Sequence, residues 1–170
     1  RDQTVFLLSV RAGLRAKEIA NLKWAMVVDA DGQMGNAIHL TDVASKGKSG
    51  RVVPLNKKLH ANLVQMLSIA KERRGFALET AYVITTERSA HTSAQAVVNM
   101  FKRWYHDLGL LGCSSHSGRR TFITNAARQI STVGGSIRDV QILAGHSSLA
   151  VTQRYIEGDS EARRKIVDLV

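Results

Sequence analysis

The feature that most constrains the fold is a change of hydrophobic period at Asn56. Before it, short apolar pieces are broken by turns. They run Met26 to Val28, a turn at Asp31-Gly32, Ala37 to Leu40, a turn over Lys46 to Gly50, and Arg51 to Leu55. That pattern predicts a three-stranded antiparallel sheet. Pro54, the single proline, belongs at a strand end or edge because it cannot donate to a ladder. After Asn56, Leu59, Leu63, Leu67 and Ala70 recur at spacings of four and three, the stripe of an amphipathic helix capped by Asn56.

Helical signals dominate the rest. Asp2 to Ala12 reads as a helix stopped by Gly13, and Ala16 to Leu22 as a second short one with Ile19 and Leu22 facing the core. Ala81 to Ile84 reads as a short strand. Ser93 caps a helix that places Val97, Phe101, Trp104, Tyr105 and Leu108 on one face, ended by Gly109 and Gly112. Further helices are expected over residues 117–130, 136–143, 148–156 and 161–170, with Ser136 and Asp139 in a capping-box arrangement. The fold class is therefore α+β, mostly α-helical, with a small sheet near the start.

At 170 residues the chain fits one domain with a sizeable core. Twenty-four Lys and Arg against 14 Asp and Glu give a net charge of +10, which favours a polyanionic partner. No apolar run is long enough to span a bilayer, and no separate basic amphipathic segment suggests a membrane surface. Nucleic acid is the better reading, with a soluble basic enzyme as the plain alternative. Cys113, the single cysteine, excludes an internal disulfide and a multi-cysteine zinc site, and is compatible with a reducing cytoplasm. No signal peptide is visible. Arg1 begins inside a helical pattern with no methionine, so a piece of a longer protein is expected.

Five residues form an inventory for attacking a phosphodiester with a phenol, Arg15, His116, Arg119, His146 and Tyr155, and Lys46 in the turn before the last strand is a further candidate. Arginine matches phosphate geometry bidentately. Histidine exchanges protons near neutral pH. A tyrosine can form a covalent intermediate once its hydroxyl is activated. Each has a plainer reading alone: Arg15 as a surface partner of Glu18, Lys46 as a solvated turn residue, His146 as a cap or packed histidine, Tyr155 as half-buried packing. His116 and Arg119 stand one helical turn apart, a pair that also arises by chance.

Taken in order, the motifs resemble the catalytic domain of the tyrosine recombinases, the phage integrase family. Gly13-Leu14-Arg15-Ala16-Lys17-Glu18 matches its Gly-Leu-Arg-x-x-Glu block. Lys46-Gly47 ahead of Val53-Pro54-Leu55 matches its hairpin lysine, and His116-Ser117-Gly118-Arg119-Arg120-Thr121-Phe122 its second block. Ala144-Gly145-His146-Ser147 with Tyr155 matches the last. The resemblance covers nearly the whole chain. Gly118 stands where leucine is usual, which removes a core side chain, and Arg120 where histidine is usual. Ser49 and Gly50 replace commoner turn residues, so Lys48 rivals Lys46.

The resemblance implies residues 1–170 as a C-terminal catalytic domain whose upstream DNA-binding domain lies outside this chain. It implies cleavage and rejoining of double-stranded DNA through a 3′-phosphotyrosine on Tyr155. Arg15 and Arg119 would hold the non-bridging oxygens, with His116 as general base, Lys46 as general acid and His146 on a phosphate oxygen. Glu18 would orient Arg15 or His116 from behind. It further implies no cofactor and no metal, a homotetramer on paired DNA sites, a monomer when isolated, and a cytoplasmic, nucleoid-associated location. Lys48, Arg120, Arg128, Arg138 and Arg154 are candidate DNA contacts, each equally readable as a solvated face. Two rivals remain: a type IB topoisomerase that relaxes DNA, and a DNA-binding module without catalysis.

Overall fold

The computed structural model describes residues 1–42, 50–87, 89–155 and 167–168. Lys46, Lys48 and most of the helix expected over residues 161–170 lie outside these. Among the described residues the chain is mostly helical, with one small antiparallel sheet.

Helix α1 (Asp2–Ala12) ends where the sequence places its stop. Gly13 adopts φ 64°, and the N–H groups of Gly13 and Leu14 return to the carbonyls of Ser9 and Leu8. This left-handed cap satisfies carbonyls that the helix leaves open. Helix α2 (Ala16–Ala20) begins at once, with Glu18 Oε2 accepting the Arg15 backbone N–H at 2.8 Å.

The sheet holds two strands, β1 (Ala37–Leu40) and β2 (Arg51–Pro54), with Ile38 opposite Val53 and Ala37 opposite Pro54. Pro54 is thus the last residue of its strand. The third strand expected at Met26–Val28 is not one. Trp24–Met26 forms a 3₁₀ turn, and Val28 makes an isolated bridge to Met34. Trp24 and Val27 are both buried, three residues apart. That spacing is met by a three-residue turn and not by a strand of period two. Ala81 to Ile84 is likewise reduced to a bridge between Tyr82 and Lys23.

Helix α3 (Lys57–Lys71) is capped by the Asn56 side chain and buries Leu59, Leu63, Leu67 and Ala70. Helix α4 (Ala94–Asp107) is capped by Ser93 and buries Val97 and Phe101, with Trp104 and Tyr105 half in the core. Leu108, expected on the same face, is its C-cap and points out. Helices α5 (Ser117–Gln129), α6 (Ile137–Ala144) and α7 (Leu149–Gln153) complete the described fold.

The apolar residues form two clusters. The larger joins α1 to α4 and the sheet around Leu8, Leu14, Ile19, Trp24, Ile38, Leu63 and Phe101. The smaller holds Ile123, Val140 and Ala144, with Phe122, Ile137 and Tyr155 against it. Helix α1 packs on α5, and α6 on β2, so the two clusters meet along those contacts. Gly118 makes the first of them possible: a Cβ there would lie 2.4 Å from Ser9 Oγ and 2.9 Å from Val10 Cγ1. The room left by the missing leucine is taken by α1 itself.

Candidate active site

Where the two clusters meet, polar groups cross from one to the other. Glu18, on α2, has a fully buried side chain, and both its oxygens are fully used. Oε1 accepts from Arg15 Nη1 at 2.8 Å and Arg51 Nη1 at 2.9 Å. Oε2 accepts from the Arg15 backbone at 2.8 Å and Arg51 Nη2 at 3.1 Å. Burial pushes this carboxyl up, but the hydrogen bond and charge of Arg51, with those of Arg15, outweigh it and hold the group below its ordinary value. Arg15 also donates Nη2 to the Gly145 carbonyl at 3.3 Å, and its side chain remains 23% exposed.

Arg119, on α5, is turned inward, 4% exposed. Its Nη1 donates to the Gly13 carbonyl and its Nη2 to the Ala144 carbonyl. Burial, then the neighbouring charge of Arg15, pulls this guanidinium down to about 10, so it stays charged at neutral pH. Five N–H groups are available to an arginine, and these two bonds leave donors to spare.

His146 follows Gly145, whose left-handed φ of 61° ends α6. Its Nδ1 lies 3.0 Å from Thr152 Oγ1, and its ring stacks on Tyr155 with centroids 5.6 Å apart. Burial, and after it the charges of Arg119, Arg15 and Arg51, push the imidazole down to about 4. It is neutral at physiological pH. Tyr155 is half-buried, just past α7 and against the smaller cluster.

Arg15, Glu18, Arg119, His146 and Tyr155 are thus brought together from distant stretches of chain. His116 heads α5 one turn before Arg119 and is exposed, while the guanidinium of Arg119 is turned inward. Arg120, Arg138 and Arg154 are exposed along α5, α6 and the end of α7, and Arg128 is exposed near the end of α5. Among the described residues, no group of three or more His, Cys, Asp or Glu is placed to share a metal ion.

Arg51 is a site residue that motif reading missed. It opens β2, is 8% exposed, and donates Nε to the Leu143 carbonyl at 2.8 Å. A signal for it existed. Arg51 and Val53 alternate with Val52 and Pro54, so strand period places the arginine on the core face. A buried arginine needs a buried acid, and Glu18 was in view.

Chemically the centre is a donor array with excess positive charge: three guanidiniums face one carboxylate. Placed in a partly dry site, such an array stabilises negative charge developing on a phosphate far more than it would in water. A phenol and a neutral imidazole stand beside it.

The phage integrase family model matches residues 1–161. The chain is similar to tyrosine recombinase XerC of Proteus mirabilis, 31% identical over 169 residues, covering 99% of this chain and 51% of that relative. It is also similar to tyrosine recombinase XerA of Thermococcus onnurineus (strain NA1), 31% identical over 168 residues, covering 97% and 54%. The chain therefore spans about half the length of the curated relatives it matches. Its fold is shared with the crystal structure of XerA recombinase, at a TM-score of 0.71 and 21% identity, covering 99% of this chain and 62% of that one. It is shared too with XerH recombinase bound to a palindromic difH substrate, at a TM-score of 0.75 and 19% identity, covering 98% and 44%. This chain belongs to the phage integrase family.

Proposed function

We propose that this chain is the catalytic part of a site-specific recombinase that cuts and rejoins double-stranded DNA. The Tyr155 phenol attacks a scissile phosphate, the bond from phosphorus to the 5′-oxygen breaks, and a 3′-phosphotyrosine forms. His116 takes the phenolic proton, and Lys46 or its neighbour Lys48 protonates the departing 5′-oxygen. A 5′-hydroxyl from a second strand then attacks the phosphotyrosine and releases the tyrosine. Phosphodiester energy is kept in the protein–DNA bond, so no nucleotide cofactor enters.

Arg15 and Arg119 hold the non-bridging oxygens, His146 hydrogen-bonds one of them, and Glu18 sets Arg15. Arg120, Arg128, Arg138, Arg154 and Lys48 add phosphate contacts that place the duplex. The larger protein carries an upstream DNA-binding domain, acts in the cytoplasm, and works as a homotetramer on paired sites, with a monomer as the isolated form. The observation that carries this reading is the convergence of Arg15 and Arg119 on the carbonyls of the Ala144-Gly145 turn, directly before the His146 ring that stacks on Tyr155. Similarity to XerH, whose solved complex is described as post-cleavage on its DNA, supports it.

The test is covalent capture. Nicked duplexes from a random-sequence pool are incubated with the protein in excess chelator and resolved on a denaturing gel. Wild type should trap DNA, and Tyr155→Phe should trap none while binding it as well, because one hydroxyl adds little to a phosphate-dominated interface. No adduct from wild type, or adduct persisting in Tyr155→Phe, overturns the reading. Exchange between paired captured sites separates a recombinase from an enzyme that merely relaxes DNA.

A further inference from the structure

Glu18 poses a problem for the chemistry just described. A carboxylate in contact with Arg15 orients that guanidinium but also quenches its charge, and a quenched arginine is a poor partner for a phosphate. The structure contains an answer in Arg51. We propose that Arg51 is a positioning residue for strand cleavage: it neutralises Glu18 from behind, so that Glu18 can orient Arg15 without cancelling it, and it fixes the main chain that leads to His146.

The bonding pattern carries this inference, which rests on the function proposed above. Arg51 reaches no phosphate, because its side chain is only 4% exposed and each of its nitrogens is committed. Two of the bonds form a fork on Glu18, one to each oxygen. A fork of this kind fixes the plane of the carboxylate as well as its place. Arg15 reads that plane through both its backbone N–H and its Nη1. One carboxylate between two guanidiniums leaves a net positive charge, and the more exposed of the two is Arg15.

The same guanidinium lies against Gly145. A Cβ at that position would meet Arg51 Nη1 at 2.8 Å and Cδ at 3.0 Å. Its Nε holds the carbonyl of Leu143. Arg51 therefore grips the turn Leu143-Ala144-Gly145 immediately before His146, and the Gly145 carbonyl is the one to which Arg15 donates. One buried side chain thus sets two of the groups assigned to the scissile phosphate, Arg15 and His146. A plain core ion pair would need neither the close approach to Gly145 nor the third bond to Leu143.

The experiment compares wild type, Arg51→Lys, Arg51→Met and the pair Arg51→Met with Glu18→Gln. The probe is a nicked duplex selected by covalent capture on wild type. Single-turnover adduct formation is measured at saturating DNA, with duplex affinity and thermal unfolding measured alongside. Arg51→Met should slow cleavage by about 10²-fold, the scale of a lost transition-state donor. Affinity should change by less than about threefold, because bulk phosphate contacts are intact. Arg51→Lys, which keeps the charge and loses the fork, should fall between Arg51→Met and wild type. The pair should cleave faster than Arg51→Met alone, because the unbalanced carboxylate has gone with its partner. A purely structural role predicts lower unfolding temperatures with unchanged cleavage by the bound, folded protein. Arg51→Met cleaving at nearly the wild-type rate, or a pair no faster than Arg51→Met, overturns the inference. Failure of all three variants to fold assigns Arg51 to stability and overturns it too. A wild type that forms no adduct removes the underlying reading as well, which sets that failure apart.

Discussion

The imidazole of His146 lies nearly parallel to the phenol of Tyr155, with 21° between the ring planes and 5.6 Å between their centroids. Thr152 links the two, because its hydroxyl meets His146 Nδ1 at 3.0 Å and it stands on α7, three residues before the tyrosine. The position of the phenol is thereby tied to a histidine on the far side of a turn. Thr152 is fully buried, so its end of the bond is closed to water, while the His146 ring is partly exposed.

Thr152→Val keeps the shape and removes that hydroxyl. Cleavage on a nicked duplex should fall by about tenfold, the equivalent of roughly 1.4 kcal/mol, with DNA affinity preserved. Stability should drop by about 1 kcal/mol in a urea titration. Equal cleavage rates for the two proteins would show that the stack alone holds the phenol.

His146 should titrate near 4 in the free protein, followed by the ring proton shifts in an NMR pH series. Its folded value lies below the ordinary 6.5, so between those two pH values the unfolded chain binds more protons than the folded one. Its contribution to stability is therefore complete above pH 6.5 and is lost as pH falls toward 4. His146→Gln should flatten that stretch of the stability profile. Adding duplex DNA should raise the titration point, because a phosphate offsets the arginine charges that add to burial in depressing it. An imidazole that titrates near 6.5 without DNA would remove both burial and the charge cluster from the account.

Arg119 joins two carbonyls, those of Gly13 and Ala144, through separate nitrogens of one rigid group. A lysine has one nitrogen and cannot reproduce the span. Arg119→Lys should therefore cleave about 10²-fold more slowly or worse, close to Arg119→Ala, as read by single-turnover adduct formation. Near wild-type cleavage by the lysine variant would reduce this residue to a generic charge.

Gly118→Ala should cost about 1–3 kcal/mol in chemical denaturation, because its Cβ would overlap Ser9 and Val10 across the contact between α1 and α5. Ser9→Ala should be close to neutral, since Ser9 Oγ is buried without a hydrogen-bond partner among the described residues. The double variant should recover part of the loss, because the nearest clashing atom is that oxygen. A Gly118→Ala protein as stable as wild type would show that α1 shifts freely.

The parts of the fold legible in the sequence are those decided locally. Gly13 ends α1, Asn56 and Ser93 cap their helices, and Ser136 with Asp139 opens α6, because each signal acts within one turn. The third strand failed because Trp24 and Val27, three residues apart, are both buried, a spacing that a turn meets and a strand does not. Tertiary burial overrode the local β pattern at Met26–Val28. At the site, Arg15, Arg119, His146 and Tyr155 could be named from motifs, and the structure gathers them. Arg51 escaped because its partners lie 33 and 92 residues away, at Glu18 and Leu143. Spacing along a chain says nothing of such pairs. Lys46 and Lys48 fall outside the described residues.

The two carbonyls that hold Arg119 close the C-terminal ends of α1 and α6, where the peptide dipoles present partial negative charge. A carbonyl is there whatever side chain the residue bears. The guanidinium is thus registered by backbone and not by the side chains that residues 13 and 144 bear. What cannot drift is the path of the main chain through two left-handed turns, and that path is guarded by glycines at 13 and 145. Substitution should therefore be expensive at two residues with no functional group at all, as well as at the charged residues they seat.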